Sequence, residues 1–155
     1  MPLKRLHRGQ KVMFPAERLA LVLESTHRTV ELADRILRRF SQKAGCTEQQ
    51  QTEISLAVRE VVANAVFHGN AGDATKKVSL AAEVRNGGIV ICVRDEGEGF
   101  DPTSLPDPCD PANLLLDHGR GVFLVKTSMD EVTMRRMDSS GMEVTMVKYL
   151  SETMR

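Results

Sequence analysis

The stretch from Thr47 to Gly69, TEQQQTEISLAVREVVANAVFHG, constrains this chain more than any other. Thr47 followed three residues later by Gln50 matches the capping-box pattern that starts a helix. The helix runs from about Glu48 to His68, and Gly69-Asn70-Ala71-Gly72-Asp73 breaks it. Val58, Val61, Val62, Ala65 and Val66 make it largely buried, so other layers must cover it. Yet Glu60, Asn64 and His68 recur at i, i+4 and i+8 and put one polar stripe on that helix. Burying a carboxylate and a carboxamide is costly unless they find partners. Two such oxygens on adjacent turns suit Mg²⁺ coordination and proton abstraction. They suit a buried capping network or a solvated edge equally well.

The rest of the chain supplies the covering layers. Leu19, Leu21 and Leu23 alternate within Arg18–Glu24 as in a short strand. Ser25 and Thr26 can cap a helix through Thr29–Phe40, which Gly45 ends. Lys77–Arg85 and Ile89–Arg94 read as strands joined at Asn86-Gly87-Gly88, a strong hairpin signal. Gly121–Met129 reads as a helix, and Glu131–Met137 and Glu143–Tyr149 as strands about the Ser139-Ser140-Gly141 turn. The fold class expected is α+β: a two-layer sandwich with a mixed, mostly antiparallel sheet and helices on one face. With 155 residues, a basic leader at 1–15 and one domain over 16–155 are expected.

Charge and cysteine content narrow the function. Lys+Arg and Asp+Glu each total 21, so no general attraction to nucleic acid or anionic membrane is expected. No apolar run long enough to span a membrane is present. Cys46, Cys92 and Cys109 fit neither a disulfide framework nor paired metal ligands; reduced thiols in a cytoplasmic protein are expected. The charges between Arg28 and Arg39 read as a solvated helix face, and Met134, Met137, Met142 and Met146 as core filling.

Two further segments carry chemistry. In Val93-Arg94-Asp95-Glu96-Gly97-Glu98-Gly99-Phe100 a strand ends in Asp95, a carboxylate placed to accept from an exocyclic amine. Gly97 and Gly99 permit close backbone approach to a ligand, although an ordinary acidic turn has the same composition. In His118-Gly119-Arg120-Gly121 glycines flank an arginine just before a helix, where free N–H groups and the positive helix end favour an anion. Between these segments, residues 95–118 hold four of the six prolines and no sustained period; a loop of that length is usually functional.

In this order, Glu60–Asn70, Arg94–Phe100 and Gly119–Gly121 resemble the N and glycine-rich boxes of the GHKL ATPase superfamily; Met129-Asp130-Glu131-Val132 also fits. Within it the chain looks like the bacterial anti-sigma-factor serine/threonine kinases, over about residues 18–150. The resemblance implies a Bergerat-type sandwich, a histidine-kinase-like ATP-binding domain with a lid at 101–118. By resemblance Asp95 would hold the adenine amino group, Gly97 and Gly99 would shape its pocket, and His68 would stand at the edge of the site. Asn64 would coordinate Mg²⁺, Glu60 would be the general base, and Gly119, Arg120 and Gly121 would embrace the phosphates. One position departs from the pattern: Gly141-Met142 stands where many members carry Gly-Thr, and a thioether brings no hydroxyl to the water network around the Asp.

The activity implied is ATP- and Mg²⁺-dependent phosphorylation of an anti-anti-sigma (STAS-type) partner by a kinase that also sequesters a sigma factor, with dimers common in the family. An alternative of another class is a nucleotide-binding partner-switch module without kinase activity, favoured by Met142 and by the lack of a visible substrate motif. A histidine-kinase catalytic domain is the weaker expectation, because the leader is too short for a phosphoacceptor hairpin.

Overall fold

Residues 18–99 and 117–150 are described by the computed structural model. The expected leader, Cys109 and nearly all of the expected lid lie outside them. The order is β1 (Arg18–Glu24), α1 (His27–Ala44), α2 (Glu48–Ala63), a π-helical turn (Asn64–Gly69), β2 (Lys77–Arg85), β3 (Gly88–Arg94), α3 (Asp117–Ser128), β4 (Glu131–Arg136) and β5 (Met142–Tyr149). The strands form one sheet in the order β1-β2-β3-β5-β4.

Every neighbouring pair in that sheet is antiparallel, which corrects the expectation of a mixed one. The path from β1 through two helices to β2 reverses the chain three times, so β2 returns antiparallel to β1. A single helix joins β3 to β4, and these two do point the same way. β5 inserts between them, so no parallel pair forms among the described strands. The β2–β3 hairpin turns on Asn86 (φ 51°) and Gly87 (φ 75°), the two positive values that a tight type I′ connection demands.

Alternation along the strands sends Val78, Leu80 and Ala82 of β2, Ile89, Ile91 and Val93 of β3, and Met146 of β5 to one buried face. Ala33, Leu37 and Phe40 of α1 and Ile54, Val58, Val61 and Val62 of α2 cover it. Each large aliphatic side chain so buried contributes about 1.5–3 kcal/mol. The capping box at α2 is complete: Gln50 N–H donates to Thr47 Oγ1 (3.1 Å) and Thr47 N–H to Gln50 Oε1 (3.0 Å). Gly45 ends α1 in the left-handed region, as its position implied. Thr26 does precede α1, but its hydroxyl accepts no helix N–H; Thr29 reaches back to the Glu24 carbonyl instead.

The charged face of α1 is not wholly solvated. Asp34 is buried, accepting from Ser55 Oγ (2.5 Å) and Arg59 Nε (2.9 Å), while Arg59 also pairs with Glu31 (2.7 Å). This clasp joins α1 to α2, and its partners stand more than twenty residues apart in the chain. Lys148 makes a second clasp: its ammonium donates to the Ser128 carbonyl (2.6 Å) and pairs with Glu53 (2.5 Å), tying the end of α3 to α2. Among the described residues no helix is long and apolar enough to cross a membrane.

Beyond Ala63 the expected helix widens into the π-turn, and Asn70 N–H reaches the Ala65 carbonyl at 2.8 Å. Asn70, completely buried, then locks three segments together. Its amide donates to Ser25 Oγ (3.1 Å) and to the Lys77 carbonyl (3.0 Å), and its oxygen accepts from Glu96 N–H (2.8 Å). Asn70→Ala would strand all three partners, and a cost of about 3 kcal/mol is expected. Thermal unfolding should show the midpoint falling by roughly 6–12 °C; a fall of only about a degree would mean that water replaces the amide.

Candidate functional site

Asp95 follows the last residue of β3, beside the start of β5. Its N–H donates to the Met142 carbonyl (3.1 Å), and its Oδ1 accepts from Met142 N–H (3.2 Å) and Gly97 N–H (2.9 Å). Both donors are backbone groups, so the carboxylate is oriented without any contribution from the Met142 side chain. Oδ2 has no hydrogen-bond partner among the described residues and remains available. Burial pushes the Asp95 carboxyl up from its ordinary range, and the two N–H groups and Lys76 pull it part of the way back.

Three glycines make this packing possible. A Cβ on Gly69 would lie 2.3 Å from Asp95 Oδ2, one on Gly97 would lie 1.8 Å from the Gly69 carbonyl oxygen, and one on Gly141 would lie 2.0 Å from the Asp95 carbonyl oxygen. Gly141 also has φ 87°, a left-handed conformation. The end of the π-turn, the end of β3 and the start of β5 therefore meet backbone to backbone.

A pocket of about 590 Å³ opens beside Asp95. Val61, Ala65, Val93, Val122, Val125 and Val144 give it apolar walls, to which Met134 and Met142 add; these two methionines line the site as well as filling space. The polar groups are few: Asn64, His68, Lys76, Asp95 and Glu98. Such a surface matches a flat heterocycle with one donor edge better than a wholly charged ligand.

Among the residues expected from sequence, Asn64, His68, Asp95 and Gly99 line this pocket, while Gly97 packs behind its wall. Glu60 lies one turn before Asn64, half-buried, and its carboxylate touches the backbone of Gly121: a Cβ there would lie 2.1 Å from Oε1. Gly119, Arg120 and Gly121 fall within α3 rather than before it, since the helix starts at Asp117. Its first turn leaves N–H groups without intrahelical partners, at the positive end of the helix. Neither the Glu60 nor the Asn64 side chain has a hydrogen bond or ion pair with a described residue. From Glu60 to Gly69 the helix rises about 13 Å, so the free carboxylate and Asp95 bracket the site from opposite ends. Among the described residues no three His, Cys, Asp or Glu side chains converge as a metal cage. The unpaired Asn64 carboxamide does suit an octahedral cation that takes most of its ligands from phosphate and water.

Sequence reasoning missed Lys76, which no motif marks, and the parts played by Gly69 and Asn70, which it took as helix breakers.

Residues 23–148 match the histidine kinase-like ATPase domain. The chain belongs to that family. It is similar to serine-protein kinase RsbW of Staphylococcus epidermidis, 31% identical over 117 residues that span 71% of this chain and 72% of the relative. RsbW of Bacillus subtilis is 32% identical over 115 residues (70% and 71%), and anti-sigma F factor of Bacillus thuringiensis 31% over 109 residues (69% and 75%). A crystal structure of RsbU and RsbW domains from Mycobacterium tuberculosis superimposes with a TM-score of 0.67 at 22% identity, covering 91% of this chain and 34% of that one. The likeness supports the α+β sandwich.

The raised Asp95 pKa has a definite sign. An acid whose pKa is raised by folding adds stability in acid solution, and that contribution is lost as the pH climbs through the folded value. At neutral pH the ionised carboxylate therefore costs stability. Asp95→Asn keeps Oδ1 and removes the charge, so it should unfold at an equal or higher temperature than the parent at neutral pH, with the gap closing in acid. A pH series of thermal unfolding curves checks this. A variant midpoint several degrees lower at neutral pH would show the charge to be stabilising.

Proposed function

We propose that this chain is an ATP-dependent protein serine kinase and anti-sigma factor, working in the cytoplasm on a STAS-type anti-anti-sigma partner and a sigma factor. The observation that carries the reading is the unpaired Glu60 carboxylate set against the first turns of α3, one pocket length from the half-buried Asp95. A nucleotide would lie along the π-turn. Asp95 Oδ2 accepts from the adenine amino group, the valine walls hold the base, and His68 stands at the edge. The triphosphate extends past Asn64 to the start of α3, where Gly119, Arg120 and Gly121 surround it. Mg²⁺, held by Asn64 and the phosphates, would neutralise charge on the transferring group.

The transfer itself is an in-line displacement. The acceptor serine oxygen forms a bond to the γ-phosphorus, the bond from that phosphorus to the β–γ bridging oxygen breaks, and ADP leaves. Glu60 takes the serine proton. Holding both reactants in place supplies most of the advantage, since the protein has little covalent work to do. Curated relatives carry the names serine-protein kinase and anti-sigma factor, which supports the same reading.

Met142 favours one competing reading, a nucleotide-gated partner switch without transfer chemistry, because a hydroxyl is missing beside Asp95. Backbone support for Asp95 from Met142 N–H weighs against it.

Two measurements test the proposal. Nucleotide with Mg²⁺ at 100-fold above its Kd should stabilise the protein by about 2.7 kcal/mol, a rise of roughly 5–10 °C that Asp95→Ala abolishes. Labelled phosphate should then pass from γ-labelled ATP to at least one purified STAS-domain protein of the same organism. Glu60→Gln should keep nucleotide binding and lower transfer by about 10²–10⁴-fold. Gly121→Ala, which displaces the Glu60 carboxylate, should lower transfer with little effect on stability. A nucleotide-dependent rise with no transfer by the parent would establish the partner switch instead.

A further inference from the structure

Seven large hydrophobic side chains stand exposed among the described residues; three of them, Leu56, Phe123 and Leu124, belong to the two helices that meet at Glu60, and a fourth, Phe67, to the π-turn that follows α2. Their placement follows from two contacts between those helices. Glu60 of α2 touches Gly121 of α3, while Glu53 of α2 is tied through Lys148 to Ser128 of α3. The steps from Glu53 to Glu60 and from Ser128 to Gly121 are equal and opposite, so the helices run antiparallel, side by side. Leu56 lies on the Glu53–Glu60 stripe and Leu124 on the Gly121–Ser128 stripe, each three or four residues from both ends. The two leucines therefore stand at a similar level along the seam, Leu56 one turn from Glu60 and Leu124 one turn from Gly121, with Phe123 also exposed on α3. These four side chains are 37–50% exposed. Phe67 extends the apolar strip on the far side of Glu60.

Position decides the occupant. A general base must come within about 2.6–3.2 Å of the hydroxyl it deprotonates. Whatever protein brings a serine to Glu60 must lay the surface around that serine over the surface around Glu60. That surface is apolar, so a polar, unfolded peptide would gain little from it, whereas a folded protein with an apolar patch would bury it as an interface core.

We propose that Leu56, Phe123 and Leu124 form the docking surface for the protein that receives the phosphoryl group, and that this acceptor carries an apolar patch beside its serine. The proposal rests on the kinase reading for the acceptor's identity, and the two fail separately. The probe is the STAS-domain protein phosphorylated by the parent chain or, if none is, one bound by the ADP-loaded parent. The variants are Leu56→Gln, Phe123→Gln and their combination. Val22→Gln, 70% exposed on the other face of the sheet, is the control.

Steady-state transfer and calorimetric binding are both measured. The double variant should raise the acceptor KM and Kd by at least about tenfold, while the nucleotide Kd stays at the parental value and Val22→Gln changes neither. Parental binding without transfer would overturn the kinase reading alone. An acceptor KM and Kd unmoved in the double variant, or moved equally by Val22→Gln, would overturn the docking surface alone. A changed nucleotide Kd with an unmoved acceptor Kd would mean that the chain's own lid covers the strip, which also overturns it. If the parent binds no STAS-domain protein at all, both fall.

Discussion

The candidate site depends on one steric constraint: three backbone segments meet where no side chain fits between them. Gly69 at the end of the π-turn lies against the Asp95 carboxylate, Gly97 lies against Gly69, and Gly141 lies against the Asp95 carbonyl. Each is a position where a methyl group would overlap an oxygen. The result is a carboxylate with one oxygen consumed by two backbone donors and the other left open. Orientation of that second oxygen comes from the main chain, which explains how methionine is tolerated at 142.

The π-turn is the second consequence of the same meeting. An α-helix continued past Ala63 would keep four-residue spacing and hold its backbone in a regular cylinder. Opening the turn by one residue lets Gly69 and Asn70 swing toward the sheet, and Asn70 then fastens that end to Ser25, Lys77 and Glu96. Single π-turns of this kind occur disproportionately at functional sites. One continuous segment therefore presents Glu60 from its regular part and Asn64 from the first residue of the π-turn, and closes on Asp95 with its irregular end.

Much of this was legible in the chain. β1 and β2 begin and end where alternation placed them, the β2–β3 turn follows from Asn86-Gly87, and the Thr47–Gln50 cap follows from spacing alone. What could not be read is physical in origin. A π-turn shifts the phase of a helical pattern by a fraction of a turn, too little to see over six residues. Asp34 has the look of a surface charge until Arg59 and Ser55 arrive from a second helix. Asn70 and Gly69 look like a helix stop because local sequence reports the end of a helix, not what that end touches. The sheet was expected to be mixed because sequence gives strand directions but not which strand inserts between β3 and β4.

Charge placement links the two ends of the site. Lys76 stands near Asp95 and lines the same end of the pocket, where it offsets the half-buried carboxylate. On the kinase reading, neutralisation at the phosphate end must come from the first turn of α3, from Arg120 and from the cation held by Asn64. That reading would make α3 the element on which nucleotide and acceptor both act: its first turn would meet the phosphates, while Phe123 and Leu124 are exposed on the next. Any force that seats the first turn on a triphosphate also sets the angle at which the apolar side chains are offered. On that reading the two ligands would be coupled through one short helix, and by linkage the acceptor would change nucleotide affinity by the same factor that the nucleotide changes acceptor affinity.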